Sequence, residues 1–349
     1  MPDKLSIIGG EYLRDLLYQP QALADTCEGL RSSKELKSIA QRLGRGKFKR
    51  VVLTGMGSSF HALHLLNLDL ISHGLPSSII ETSELVHYQI PQFDPATLIV
   101  AVSQSGESAE MVRLLKMNRK RSPLVAVTNT AGSALAKCAN AAVLTHAGSE
   151  FSVSCKTYVS TVVALRWLAA ALCGGNINRR QRNLRRAAAG AGAYLTNWRD
   201  HVRALANALR DTRHLFLVGR GPSLAAVGTG ALIVKEAAHF HAEGMSSAAF
   251  RHGPMEMADG ETSVFVFSGD ARTRKLNRTL LTEIRQYGGR SEWIGKDAAL
   301  AACRMPDHDP DLRPILEILP VQMMTLALAA REGREAGRFD RVTKITTTE

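Results

Sequence analysis

The apolar positions divide the chain into a helical lead-in and two stretches where short apolar runs alternate with amphipathic ones. Leu13, Leu16, Leu17 and Leu23, then Leu36, Ile39 and Leu43, recur at helical spacing, so residues 11–45 predict helices. From Arg50 the rhythm changes. Val51-Val52-Leu53-Thr54 is a short apolar run closed by Gly55-Met56-Gly57-Ser58-Ser59, and 61–71 then reads as a helix. Leu98 to Val102 runs in the same way into Ser103-Gln104-Ser105-Gly106-Glu107-Ser108, with a helix over 109–117. Leu124 to Val127 ends at Thr128-Asn129-Thr130, Ala142 to Leu144 gives a further strand, and 157–173 a helix. Such alternation predicts an α/β fold with a parallel, doubly wound sheet.

A polar, helix-prone linker over about 174–212 follows, and then the opening recurs. His214 to Val218 leads into Gly219-Arg220-Gly221-Pro222-Ser223 and a long helix, and Ser263 to Phe267 ends at Ser268-Gly269-Asp270 as Leu98 to Val102 ended at Ser103. The echo indicates a duplicated module. An apolar helix over 314–330 precedes a polar tail. The expected division is a helical segment 1–46, a first domain 47–190, a second domain 191–330 and a tail 331–349.

A length of 349 residues suits two domains. No uninterrupted apolar run reaches the roughly 20 residues that span a bilayer; the longest candidate, Val159 to Cys173, is broken by Thr161 and Arg166. The opening Met1-Pro2-Asp3-Lys4 is followed by Gly9, Gly10 and Glu11, not by an apolar signal core. A cytoplasmic protein with no membrane partner is expected. Cys27, Cys138, Cys155, Cys173 and Cys303 are odd in number and form no CxxC pair, which argues against disulfides and against a metal site. The net charge of +12 raises the question of nucleic acid, but the basic residues are spread out. The exception, Arg179, Arg180, Arg182, Arg185 and Arg186, reads as a solvated face of the linker helix, so no nucleic-acid partner is expected. The charge suits an anionic substrate.

Ligands of open parallel sheets sit beyond the carboxyl ends of the strands, where helix amino ends point N–H groups outward. Gly57, Ser58 and Ser59 and the loop Ser103, Gln104, Ser105 to Ser108 would lie there, rich in hydroxyls and able to cradle a phosphate without a lysine. Either turn alone reads as an ordinary strand-to-helix cap; two in register favour a site. Gly55-Met56-Gly57-Ser58-Ser59-Phe60 lacks the third glycine of a dinucleotide fingerprint and no GxxxxGK[ST] occurs, so no cofactor is expected. The second half carries more reactive groups: Glu236 in the long helix, then His239, His241, Glu243 and His252. A helix continuing through them would put Glu236 with Phe240, and His239 with Glu243, on shared faces.

The segment GALIVKEAAHFHAEGMSSAAFRHGPMEMAD resembles the isomerase half of glucosamine-6-phosphate synthase and its relatives, the amino-sugar-phosphate deaminases and fructosamine-phosphate deglycases, which are built of paired sugar-isomerase (SIS) domains. SQSGES resembles that family's phosphate loop, GSEFSVSCKT the segment that closes over the sugar, and RVTKITTTE its carboxy-terminal lysine segment. The similarity runs over residues 11–349. It implies two tandem SIS domains, each a flavodoxin-like parallel sheet flanked by helices. It also implies phosphate and sugar binding by Gly57, Ser58, Ser59, Ser103, Gln104, Ser105, Ser108 and Ser154. Glu236 becomes the base that moves a proton between C1 and C2, His252 the group that opens the sugar ring, reaching in from a neighbouring subunit, and Lys344 the amine at the reacting carbonyl. These roles suit the groups, since ring opening needs a side chain titrating near neutral pH and carbonyl–nitrogen exchange an amine able to form a Schiff base.

The chain departs from the synthases at Ile233, where they carry a lysine, at Ala249, where they carry an acid, and in a closing segment one residue shorter. No glutamine-hydrolysing segment stands before residue 11, which makes deamination or deglycation expected over synthesis. The expected function is therefore an amino-sugar-phosphate isomerase/deaminase acting as a homodimer on a phosphorylated amino sugar. A fructosamine-6-phosphate deglycase is the alternative enzyme, and a non-catalytic sugar-phosphate-binding regulator the alternative of another class.

Overall fold

The computed structural model describes residues 4–305, 309–341 and 343–346. The chain folds as two units: one holds residues 21–150, 156–186 and the tail from Arg341, the other the residues up to Pro20, 151–155 and 187–340.

The first unit is built on β1 (Arg50–Gly55), β2 (Ser77–Glu81), β3 (Thr97–Val102), β4 (Leu124–Thr128) and β5 (Ala141–Leu144), paired in parallel in the order β2-β1-β3-β4-β5. The order explains the sequence. All six residues of β3 and all five of β4 are buried, as a central strand covered by helices on both faces requires, so both read as unbroken apolar runs. The edge strand β2, Ser-Ser-Ile-Ile-Glu, has a single buried residue and left no such run to find. The helix Lys156–Leu172 packs against the helix Gly57–Ser72. Arg166, which interrupts its apolar sequence, is spent on a largely buried ion pair with Asp69 of that partner helix, Nη1 to Oδ2 2.6 Å.

The other unit repeats the plan with β6 (His214–Gly219), β7 (Ala242–Ser246), β8 (Thr262–Phe267) and β9 (Arg290–Ile294), again parallel, in the order β7-β6-β8-β9. The duplicated module read from the sequence is thus two sheets with the same order through their first strands. One expectation fails here. The helix Leu224–Ala238 stops at Ala238, with His239 turned into the left-handed region at φ 50°, and the chain re-enters the sheet as β7. Glu243 therefore stands on a strand, and no helical face joins it to His239. His239 Nδ1 meets the Arg334 guanidinium at 2.9 Å, while His241 Nε2 lies 3.9 Å from Glu243 Oε1.

The stretch Arg313–Arg331 is long and apolar enough to cross a membrane by length and composition, and 94% of it is buried inside the protein. It displaces Val159 to Cys173 as the strongest such candidate, and its burial explains its composition as that of a core helix. All five cysteines are free. Burial pushes the thiols of Cys27 and Cys173 up to about 11, which leaves them protonated and unreactive near neutrality.

Candidate active site

In the first sheet the strand order reverses between β1 and β3, the topological position at which parallel sheets bind ligands. Gly55 ends β1 opposite Val102, the last residue of β3, so the two serine-bearing loops leave the sheet side by side. Gly55 permits the closeness, since a Cβ there would meet the Val102 carbonyl oxygen at 3.0 Å and the Phe60 nitrogen at 3.2 Å. Gly57, Ser58 and Ser59 open the helix Gly57–Ser72, whose N-cap Met56 offers no side-chain acceptor. Ser108 is the N-cap of the helix Ala109–Asn118, and its hydroxyl makes no capping bond either. Two helix amino ends without side-chain caps therefore face the switch point, and the positive end of a helix dipole is what favours an anion there.

The loop between β3 and its helix is rigid by construction. The Ser103 hydroxyl accepts from the Gly106 N–H at 3.0 Å, and Ser105 accepts from the Glu107 N–H at 3.2 Å. The Gln104 carbonyl takes the Asn129 N–H at 3.1 Å and the Thr128 hydroxyl at 3.2 Å. Gly106 sits at φ 66°, and an added Cβ would lie 2.4 Å from the Ser133 hydroxyl.

Part of the tail completes this unit. The carbonyl of Thr346 accepts from the Ala109 N–H at 3.1 Å, at the first residue of the helix that follows the serine loop. Two positions back, Lys344 places its ammonium 2.9 Å from Glu150 Oε2. Two residues span at most about 7 Å, so the backbone of Lys344 stays within that distance of the residue docked on Ala109. Glu150 is itself fixed: its side chain is 1% exposed, Oε1 accepts from the Thr157 N–H at 3.0 Å and Oε2 from the Thr157 hydroxyl at 2.6 Å. One carboxylate thus caps the amino end of the helix Lys156–Leu172 and holds the tail amine.

Gly57, Ser58, Ser59, Ser103, Gln104, Ser105, Ser108 and Lys344 therefore belong to one unit. Glu236, His252 and Ser154 belong to the other. Glu236 is half-buried in the last turn of its helix, and Ser154 is half-buried in a short segment whose neighbour Phe151 donates its N–H to Asp15 at 2.7 Å. His252 is exposed at the end of the short helix Ser247–Arg251. Ile233, which stands where the synthases carry a lysine, is fully buried in the core. Glu150 and Thr346 were not singled out from the sequence. A signal for Glu150 existed, a lone carboxylate just ahead of a long apolar helix with a threonine in its first turn. A backbone carbonyl such as that of Thr346 leaves none. A cavity of about 680 Å³ in the second unit, lined by Leu5, Trp198 and Arg331 among others, contains none of the candidate residues.

Comparison with known proteins agrees with this architecture. The SIS domain family model matches residues 47–171 and again 208–331. A glutamine–fructose-6-phosphate aminotransferase (isomerizing) of Pyrococcus horikoshii is 30% identical over 97% of this chain and 57% of its own length. The chain thus spans somewhat more than half of that relative. Among solved structures, the C-terminal domain of glucosamine-fructose-6-phosphate aminotransferase from Francisella tularensis superposes with a TM-score of 0.83 at 21% identity, covering 94% of this chain and 98% of that one. The tagatose-6-phosphate ketose/aldose isomerase of Escherichia coli gives 0.80 at 23%, covering 96% and 97%. At such identities these two likenesses bear on the fold. With two matches to the family model and two parallel sheets that share their strand order through four strands, the chain belongs to the SIS domain family.

Proposed function

We propose that the protein is an amino-sugar-phosphate isomerase/deaminase, which converts a 2-amino-aldose 6-phosphate and water to a ketose 6-phosphate and ammonia. The observation that carries this reading is the anchoring of the tail, with Lys344 paired to Glu150 and Thr346 bonded to Ala109, the residue that follows the serine loop by one position. Hydroxyls and helix amino ends can hold a phosphate without a lysine, which leaves this amine for carbonyl chemistry. An amine there can exchange with the nitrogen of a C2 imine, releasing ammonia, and water then frees the ketose from the lysine.

In this reading the phosphate lies between the amino ends of the helices Gly57–Ser72 and Ala109–Asn118, contacted by Ser59, Ser103, Gln104, Ser105 and Ser108, and Ser154 adds a contact to the sugar. Glu236 moves the proton from C2 to C1 and His252 opens the ring. Their parts rest on residue type and on the resemblance of the segment that carries them. The exposure of His252 suits an imidazole supplied to a second copy of the chain, so the proposed working form is a homodimer. A single-component sedimentation profile at the mass of one chain, with full activity, refutes the dimer.

The test is a coupled assay for ammonia, free amino acid and ketose phosphate over a small panel of amino sugar phosphates and fructosamine 6-phosphates. Ammonia and ketose phosphate released together from an amino sugar support the reading. Amino acid release from a fructosamine phosphate alone makes the protein a deglycase, and tight binding without turnover of any substrate makes it a sensor.

A further inference from the structure

The arginine-rich stretch that reads as a solvated linker face contains a local conflict. In the helix Ile177–Leu195 the five arginines Arg179, Arg180, Arg182, Arg185 and Arg186 crowd the amino-terminal half, and the first turn holds no acidic residue. Positive side chains at the positive end of a helix dipole repel it, and like charges three positions apart repel each other. Natural sequences break local rules of this kind where a function repays the cost.

The same region forms an open cleft of about 690 Å³ within the first unit, lined by the turn Leu30 to Ser32, Lys37, Trp167, the turn Gly175 to Asn178, and Gln181, Arg182 and Arg185 of the helix. Four of the lining side chains are cationic and none is a carboxylate. Arg31 is held by backbone carbonyls, its Nη1 donating to Leu30 at 2.9 Å. Lys37, Arg182 and Arg185 are exposed and form no ion pair among the described residues. Gln181 ties the helix to the turn by donating to the Cys27 and Leu30 carbonyls, which fixes the arginine pair relative to Arg31. Beneath them Trp167 is 1% exposed, and its indole N–H meets no acceptor among the described residues.

From this geometry we infer that the cleft binds a small anion of the diphosphate class, at a site separate from the serine loop. A single phosphate is satisfied by one or two guanidinium forks. Cations drawn from a helix face, a turn and a second helix call for more than one phosphoryl group to neutralise them together. The cleft's volume accommodates such a molecule with a modest organic substituent.

The test is calorimetric titration of the full chain with inorganic pyrophosphate, at an ionic strength of about 0.15 M so that bulk screening is realistic. One equivalent should bind, more tightly than inorganic phosphate does, and Arg182→Gln and Arg185→Gln should each weaken it about tenfold. Unliganded, both variants should melt no lower than the wild type, since each removes a repelled charge. Ser105→Ala and Ser108→Ala should leave pyrophosphate binding unchanged, which separates failure of this site from failure of the proposed phosphosugar loop. Absence of pyrophosphate binding overturns the inference. So does equal affinity for phosphate, loss of binding in the serine variants alone, or a single-stranded oligonucleotide that binds the arginine face in preference to pyrophosphate.

Discussion

Lys344 and Glu150, 194 positions apart in the chain, hold their ammonium and carboxylate 2.9 Å apart, and the same carboxylate caps the helix Lys156–Leu172 through Thr157. Because the two jobs share one side chain, conservative and drastic changes at Glu150 should separate. Glu150→Ala leaves the Thr157 donors unsatisfied and should cost about 2 kcal/mol in urea unfolding. Glu150→Gln keeps an acceptor for the helix and should recover most of that stability. It should still release the tail, read as faster amide exchange at Ala109, whose N–H is bonded to Thr346.

Ser103 and Ser108 offer a second contrast. The Ser103 hydroxyl is engaged by the Gly106 N–H, so Ser103→Ala should loosen the loop and cost about 1 kcal/mol. The Ser108 hydroxyl makes no capping bond. Ser108→Ala should therefore change stability by less than about 0.5 kcal/mol, yet weaken binding of a sugar phosphate about tenfold, measured by titration with fructose 6-phosphate.

Gly106→Ala should be worse than either. The residue is held at φ 66°, and its new methyl would strike the Ser133 hydroxyl, which accepts from the Ala136 N–H at 3.2 Å to cap the next helix. A loss of about 1–3 kcal/mol is expected from the backbone alone, together with loss of phosphosugar binding, both visible in a thermal shift series with and without fructose 6-phosphate.

Much of this was legible in the sequence because central parallel strands are buried on both faces. β1, β3, β4, β6 and β8 stand out as apolar runs, and the glycines and serines that follow β1, β3 and β6 mark the carboxyl edges. β2, β7 and β9 were not legible. Ser77 to Glu81, Ala242 to Ser246 and Arg290 to Ile294 lie outermost in their sheets and carry polar residues that break the run. The helix end at Ala238 leaves no sequence signal, because His239 takes the left-handed conformation usually left to glycine or asparagine. Lys344 is marked by the resemblance of its segment to a lysine segment, whereas its partner Glu150 depends on a contact between residues 194 positions apart.

Glu317 predicts a pH dependence of stability. It is fully buried between the helices Arg313–Leu316 and Leu319–Arg331. Burial pushes its carboxyl up to about 7, and the nearby Ser223 hydroxyl and Arg313 guanidinium offset only part of that shift. Below the ordinary pKa of 4.5 both folded and unfolded forms are protonated and nothing is lost. Between there and about pH 7 the unfolded chain ionises first, so stability should fall with rising pH, by about 3 kcal/mol in all, and level off above it. Glu317→Gln has no charge to bury. Its stability relative to wild type should rise over that window and stay constant beyond, as followed by urea unfolding at a series of pH values.

Reductive trapping shows whether a phosphosugar on the serine loop presents its carbonyl to Lys344. The chain is incubated with fructose 6-phosphate and sodium borohydride, digested, and its peptides weighed by mass spectrometry. The lysine amine and the ketose carbonyl lose water to form an imine, which borohydride reduces to a stable secondary amine. One hexitol phosphate should appear on the peptide containing Lys344, absent from Lys344→Met and suppressed in Ser108→Ala. An unmodified Lys344 with the adduct on other lysines, or equal labelling in the serine variant, would contradict the proposed role of Lys344.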